Sequence, residues 1–240
     1  MNSYFVIGNP IDHSLSPLLH NYWFKKYKIQ SEYKKKKLEE NDLKDFTNDI
    51  RSNHSIKGAN VTVPFKKKII PFLDELSKVS QITGSVNTII KENGKLLGDN
   101  TDATAFEDTL NDMKYSIHEY GRPLTSLIIG AGGVTSSIIF AIEKLNNAEG
   151  TYYIMNRTKK NADDLALKNL PNVNLKPKVL DWGDIPKNLD IIINTTSVGL
   201  IKDEELNLDF STYKGSKNTL FYDLIYNPKE TNFLIDARKR

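Results

Sequence analysis

Asn87, Thr101 and Asp102 are an amide, a hydroxyl and a carboxylate that the chain can bring together, and such a set can orient a hydroxyl or carbonyl and manage its proton. The link is a hairpin. Strand-like segments at 85–90 and 95–99 flank Asn93-Gly94, a dipeptide suited to a two-residue turn. In that register Asn87 faces Asn100 across the ladder, where opposed residues lie about 5 Å apart. Asn87 then comes close to Thr101 and Asp102. Asp102 also falls near the start of the next helix, where the dipole favours its ionised form. Two readings stand for it: a member of this cluster, or a cap for orphan N–H groups. Lys66 ends Asn60-Val-Thr-Val-Pro-Phe-Lys66 and, by itself, reads as part of the exposed run Lys66-Lys67-Lys68. Ser14 and Ser16 flank Leu15. Ser16 with Pro17 fits a helix cap, which leaves Ser14 as the better ligand candidate. Tyr226 could reach a ligand or fill core.

A second chemistry lies further along. Gly130-Ala-Gly-Gly-Val-Thr135 follows the apolar run 126–129 and precedes a helix-like segment at 136–145. Strand, glycine turn and helix form the context of a dinucleotide site. Gly130 allows the tight turn, and Gly132 lets backbone N–H groups approach a pyrophosphate at the helix N-terminus. Thr135 stands where a third small residue is expected. The next strand, 151–155, ends in Asn156-Arg157-Thr158-Lys159-Lys160. An NAD site usually carries an acidic residue about 20 residues past the glycines. A guanidinium there suits a 2′-phosphate instead, so the residues point to NADP. An exposed basic turn is the other reading, above all for Lys159 and Lys160.

These residues need elements to hold them. The first hundred residues predict a strand at 4–8, a helix begun at Ser16, an extended segment at 31–38 with Lys34 to Lys37 along a solvated edge, and a helix from Asn41-Asp42. A strand at 58–63 follows, stopped by Pro64, then a helix over 65–76 broken at Pro71, then the hairpin. A helix at 103–113 and a loop at 116–124 lead into a second series, with strands near 126–129, 151–155, 177–180, 190–194 and 219–224. Asp190-Ile-Ile-Ile-Asn194 is nearly continuous apolar chain, as a strand buried on both faces requires. The last residues, 231–238, carry apolar side chains at helical spacing. Two α/β halves are expected, with the substrate in a cleft between them.

Composition excludes several classes. The chain has 240 residues, enough for one large domain or two small ones, and a net charge of +3 from 33 basic and 30 acidic residues. That balance implies no nucleic-acid or membrane-surface partner. Cysteine is absent, which removes disulfides, thiolate catalysis and Cys-ligated metal. His13, His20, His54 and His118 show no metal-ligand spacing. There is no signal pattern and no apolar run near the ~20 residues that span a bilayer. A cytoplasmic enzyme acting on a small molecule, as monomer or homodimer, is expected.

Taken together, the motifs resemble the shikimate dehydrogenase family. The resemblance rests on Gly8-Asn-Pro-Ile-Asp-His-Ser-Leu-Ser-Pro17, Gly58-Ala-Asn-Val-Thr-Val-Pro-Phe-Lys66, Gly84-Ser-Val-Asn-Thr88, Gly98-Asp-Asn-Thr-Asp102, Gly130-Ala-Gly-Gly133, Asn156-Arg-Thr158 and Asn194-Thr-Thr-Ser-Val-Gly199. They occur in family order over nearly the whole chain. The resemblance implies an α/β protein with an N-terminal substrate-binding catalytic domain at 1–102 and a Rossmann-like, doubly wound NADP-binding domain at 103–227. Residues 228–240 would begin a return to the first domain. The implied activity is reversible reduction of 3-dehydroshikimate to shikimate with NADPH, in the pathway to chorismate and aromatic amino acids. Lys66 and Asp102 would be the catalytic pair. Ser14 and Ser16 match residues that bind the substrate carboxylate, and Thr62, Asn87 and Tyr226 match residues around the ring hydroxyls. Gly130, Ala131, Gly132, Gly133, Val134, Asn156, Arg157, Thr158, Lys160, Thr195 and Leu224 would hold NADP, and no metal is required.

Two departures from the family pattern qualify what it implies. Asn161 stands where the family often has a basic residue, with Lys160 as a substitute. The chain ends at Arg240, where family members normally continue with a Gly-Leu-x-Met-Leu-type segment, a substrate-binding glutamine and a helix. That departure sets an expectation of NADP binding with weak shikimate oxidation. The alternatives are a dehydrogenase that also accepts quinate, or an impaired NADP-binding module.

Overall fold

A computed structural model describes residues 1–167, 177–201, 204–210, 213, 215 and 218–239. The chain forms two compact units, Met1–Ala103 and Thr104–Arg240.

The first unit is built on a six-stranded mixed sheet in the order β2-β1-β3-β5-β6-β4, with β1 at Asn2–Gly8, β2 at Ser31–Lys37, β3 at Ile56–Val61, β4 at Glu75–Leu76, β5 at Thr88–Glu92 and β6 at Lys95–Asp99. β1, β2 and β3 run parallel, and β5 is antiparallel to both β3 and β6. Helix α1 (Ser16–Lys26) contributes Phe24 to a cluster with Val6, Ile11 and Tyr33 on one face. Helix α2 (Leu43–Ser52) buries Leu43, Phe46 and Ile50 with Ile7, Val61 and Ile89 on the other. Alternation along each strand feeds both layers. The lysine-rich β2 lies at the sheet edge, as its charges predict.

The hairpin has the expected register. Glu92 pairs with Lys95, and Asn93 and Gly94 have φ of 49° and 80°. Positive φ at both turn positions defines a type I′ turn, whose twist matches the strands. The helix expected over 65–76 does not form. Turns fill the segment, with a 3-10 helix at Ile70–Phe72. Pro71 removes an N–H donor from it, and Pro64 removes another just before it. The chain gains its pairing elsewhere, from β4 against β6 and from a helix at Lys78–Thr83 (α3) whose Ser77 hydroxyl accepts from Ser80 N.

The second unit has a five-stranded parallel sheet in the order β11-β10-β7-β8-β9, with β7 at Thr125–Ile129, β8 at Thr151–Met155, β9 at Lys178–Leu180, β10 at Ile191–Asn194 and β11 at Leu220–Asp223. Counted within the unit this is 3-2-1-4-5, the doubly wound order, with its switch point between β7 and β10. Helices α4 (Asp102–Asp112), α6 (Thr135–Leu145) and α7 (Lys159–Leu167) cover one face, with Phe106, Ile138, Ile142 and Leu165 on Ile128, Ile154 and Ile193. A short helix, α5 (Ile117–Tyr120), interrupts the loop expected before β7. Helix α8 (Asn232–Arg238) sends Phe233 into the cluster on the other face, beside Leu127, Ile129 and Phe210. This part of the 228–240 segment therefore packs within the second unit. Among the described residues no helix is long and apolar enough to cross a membrane.

Close strand packing sets a stability test. A Cβ on Gly58 would stand 2.5 Å from the carbonyl oxygen of Ile89 on β5, and only backbone could yield. Gly58→Ala should cost about 1–3 kcal/mol, the usual range for overpacking, read as a lower urea midpoint. An unchanged midpoint would mean that β3 and β5 separate there without penalty.

Candidate functional site

The first unit gathers its polar residues at one edge of the sheet. β1 and β3 are parallel and adjacent, so the loops after Gly8 and Val61 leave at the same edge. β5 runs the other way and starts there, and β6 ends there. Ser14, Ser16, Thr62, Lys66, Asn87, Thr101 and Asp102 all belong to these four segments. Ligands in α/β sheets bind outside such carboxyl ends.

Backbone hydrogen bonds fix the segments to one another. Thr62 N donates to Ile7 O (2.9 Å), and Asn87 N donates to Asp99 O (3.0 Å). Val86 N donates to Lys66 O (2.8 Å), so the turn that carries Lys66 is tied to the residue before Asn87. Because 65–76 is turn and not helix, Lys66 can lie against this segment.

Lys66 Nζ donates to Asp102 Oδ2 at 2.7 Å. The two side chains are 14% and 23% exposed, so Lys66 is not the surface charge it seems from its basic run. Asn87 Nδ2 donates to Asp102 Oδ1 and to Thr101 Oγ1, each at 2.9 Å, and Asn87 Oδ1 accepts from Thr101 N at 3.0 Å. The hairpin register thus makes the contacts it predicts. Asp102 opens α4, but its carboxylate oxygens face Lys66 and Asn87, and its own N–H donates to Asn100 Oδ1. The first-turn donor is met by Asn100.

Ser16 does not cap α1. Leu15 occupies the N-cap position without a side-chain cap. Ser14 Oγ accepts from Ser16 N (3.3 Å) and donates to Ser16 Oγ (3.2 Å). Ser14, two residues before the expected cap, closes the loop, and Pro17 already presets the first helical φ. The two hydroxyls form one small polar patch.

In the second unit the glycine loop joins β7 to α6. Gly130 has φ +118°, and a Cβ there would stand 2.5 Å from Thr195 Oγ1, so glycine is required by the approach of the chain after β10. Thr135 and Thr195 share a buried hydroxyl contact (2.9 Å), and the Thr195 hydroxyl also donates to Ile129 O (2.9 Å). These hydroxyls fasten the loop frame. Leu224 is half-buried against the core and donates its N–H to Asn194 O (3.1 Å). Gly132 differs: no atom lies within 4 Å of where its Cβ would stand. Ala131 and Gly133 flank it, and Val134 holds the N-cap of α6 with no side-chain cap and no acidic residue in the first turn. Orphan N–H groups and an uncompensated positive dipole end suit a phosphate.

After β8, Asn156 Nδ2 donates to Thr158 O (2.8 Å), which fixes the turn. Arg157, Thr158 and Lys160 are exposed. Lys159 is held by Asp181 at 2.6 Å, a contact that also raises its pKa, so among the described residues Arg157 and Lys160 are the cations of this turn left to meet an anion. Tyr226 lies in the same unit, past β11, and is 66% exposed. Among the described residues no cluster of three or more potential ligands could hold a metal.

Sequence reasoning missed a half-buried carboxylate near the loop after β10. Asp223 accepts from Asn194 Nδ2 (3.1 Å), Ile225 N (3.0 Å) and Thr231 Oγ1 (2.6 Å). Burial raises its pKa against the pull of these donors. Its partners come from three separate segments, and only its place at the end of an apolar strand could have marked it.

Residues 6–89 match the family model for the shikimate dehydrogenase substrate binding domain. The chain is 46% identical over 237 residues to the shikimate dehydrogenase (NADP(+)) of Pelagibacter ubique, covering 99% of this chain and 84% of that relative. It is 39% identical over 239 residues to that of Dictyoglomus turgidum, covering 98% and 82%. A crystal structure of a shikimate dehydrogenase in complex with NADP+ superposes with a TM-score of 0.87 at 32% identity, covering 100% of this chain and 82% of that one. The Thermus thermophilus shikimate 5-dehydrogenase in complex with NADP(H) and shikimate gives a TM-score of 0.79 at 27% identity, covering 100% and 84%. With two α/β units, a lysine–aspartate pair in the first and a glycine loop in the second, the chain belongs to the shikimate dehydrogenase family.

Proposed function

We propose that this protein interconverts shikimate and 3-dehydroshikimate with NADP as the redox partner. The observation that carries the reading is the Lys66–Asp102 hydrogen bond at 2.7 Å, braced by Asn87. Membership of the family supports the substrate and the cofactor. The unit at Met1–Ala103 would bind the substrate, and the unit from Thr104 onward would bind NADP. A cytoplasmic enzyme, monomeric or homodimeric, goes with this reading.

When bound, the reduced nicotinamide supplies the hydride. The protein's own part is to orient the carbonyl and to handle one proton. The Lys66 ammonium donates a hydrogen bond to the carbonyl oxygen and gives up a proton as that oxygen becomes an alkoxide. In the reverse direction Lys66 accepts the proton of the substrate hydroxyl. Asp102 orients Lys66, stabilises its ammonium and hydrogen-bonds a neighbouring hydroxyl. Ser14 and Ser16 would take the substrate carboxylate, with Thr62, Asn87 and Tyr226 on the ring hydroxyls.

The residues of the second unit fit NADP. Open space at Gly132 and the uncapped start of α6 suit the pyrophosphate. Gly130, Ala131, Gly133 and Val134 would shape that loop, with Thr195 and Leu224 as its frame. Arg157 would fork onto the 2′-phosphate, with Lys160 as a second cation and Asn156 and Thr158 shaping the turn.

Two variants test these roles. Lys66→Ala should lower kcat for shikimate oxidation by about 10²–10⁴-fold, the range for a general acid–base group, with a much smaller change in KM. Near-normal turnover would remove Lys66 from the chemistry. Arg157→Ala should weaken NADP binding by about 1.5–3 kcal/mol, as for a hydrogen bond to a charged group, and leave NAD binding nearly unchanged in titrations of both cofactors. Equal losses would assign Arg157 to the fold or to the adenine pocket.

A further inference from the structure

We propose that Tyr33, Asn60 and Thr88 are positioning residues for the Lys66–Asp102 pair, acting through the Asn87 side chain as a single directed chain of hydrogen bonds. The inference rests on the function proposed above and extends it to three residues that need not touch substrate.

The contacts run without a gap. Tyr33 Oη donates to Asn60 Oδ1 at 2.5 Å. Asn60 Nδ2 donates to Thr88 Oγ1 (3.1 Å) and to the main-chain oxygen of Asn87 (3.2 Å). Thr88 Oγ1 donates to Asn87 Oδ1 at 2.9 Å. Asn87 Nδ2 then donates to Asp102, which accepts from Lys66 at its other oxygen.

The direction of every bond is dictated at its ends. The Asn87 carbonyl can only accept, so it faces the Asn60 amide nitrogen and turns Asn60 Oδ1 toward Tyr33. The Thr101 N–H can only donate, so it faces Asn87 Oδ1 and turns the Asn87 amide nitrogen toward Asp102. The Thr88 hydroxyl lies between these fixed amides and must accept from one and donate to the other. A flipped Asn87 would present its oxygen to a carboxylate, a repulsive contact. The chain therefore selects the one amide orientation that aims Asp102 at Lys66. Bonds of one polarity also strengthen one another in a poorly solvated setting.

Tyr33 is suited to start such a chain. It is 4% exposed, and burial pushes its phenol well above the usual pKa, so it stays a donor. Its ring stacks on His20 at 4.2 Å with an interplanar angle of 8°. Asn21 holds its backbone on both sides, donating to Tyr33 O (2.8 Å) and accepting from Tyr33 N (2.9 Å). The register places Tyr33 beside Tyr4 and Asn60 beside Val6, so both side chains share the sheet face that α1 covers.

The test is steady-state shikimate oxidation by the full chain and the variants Tyr33→Phe, Thr88→Val and Thr88→Ser. Tyr33→Phe and Thr88→Val should each lower kcat about tenfold, equivalent to about 1.4 kcal/mol, with KM for shikimate and NADP within about twofold of wild type. Thr88→Ser keeps the hydroxyl and should retain at least about half of kcat. Unchanged kcat in both Tyr33→Phe and Thr88→Val overturns the proposal. So does a rise in KM without a fall in kcat, which would assign the residues to substrate binding, or a Thr88→Ser loss as large as that of Thr88→Val. A wild-type chain that does not oxidise shikimate at all would sink the functional reading itself, before any variant is compared.

Discussion

A lysine and an aspartate bonded at 2.7 Å, neither more than a quarter exposed, impose the main constraint on the first unit. Withdrawing two charges from water costs several kcal/mol for each ion, and their attraction offsets that cost only where geometry is good and the remaining polar atoms are satisfied. The second carboxylate oxygen is satisfied by Asn87, and the Lys66 main chain is tied to Val86. The pair is thus a demanding arrangement that the neighbouring segments must hold. A pair so held is also ready for a proton-transfer role, because little reorganisation is needed when charge develops beside it.

The sheet supplies that precision by bringing distant segments to one edge. Lys66 and Asp102 are far apart in sequence, but the antiparallel run from β3 through β5 to β6 returns the chain to the same end twice. In the second unit a comparable economy holds at the switch point. There the Gly130 turn, Thr135 and Thr195 close on one another, while Gly132 is left bare at the mouth of α6. Structural contacts use one glycine, and open space is kept at the other.

How much of this was legible in the sequence depended on whether the governing interactions were local. The Asn93-Gly94 turn fixes its own backbone, so the register followed, and with it the meeting of Asn87, Thr101 and Asp102. The glycine loop and the continuous apolar run at 190–194 were equally local signals. The segment 65–76 reads as helix because its apolar spacing is helical, while Pro64, Pro71 and its pairing with β6 decide otherwise. The cap expected at Ser16 gives way to a contact from the Ser14 hydroxyl, because either serine can close a loop that Pro17 presets. Lys66 was hidden in a basic run, and only the motif resemblance brought it forward. The Tyr33–Asn60–Thr88 chain and the Asp223 clamp join strands remote in sequence, and no pattern in one strand announces its partner in another.

The central claim is that Lys66 and Asp102 act as one unit and not as two independent contributors. A double-mutant cycle on kcat measures this directly, with Lys66→Ala, Asp102→Ala and the double variant assayed at saturating shikimate and NADP. Residues that act together lose activity non-additively, so the double variant should fall within about threefold of the worse single variant. A double variant whose loss equals the product of the two single losses would contradict the account.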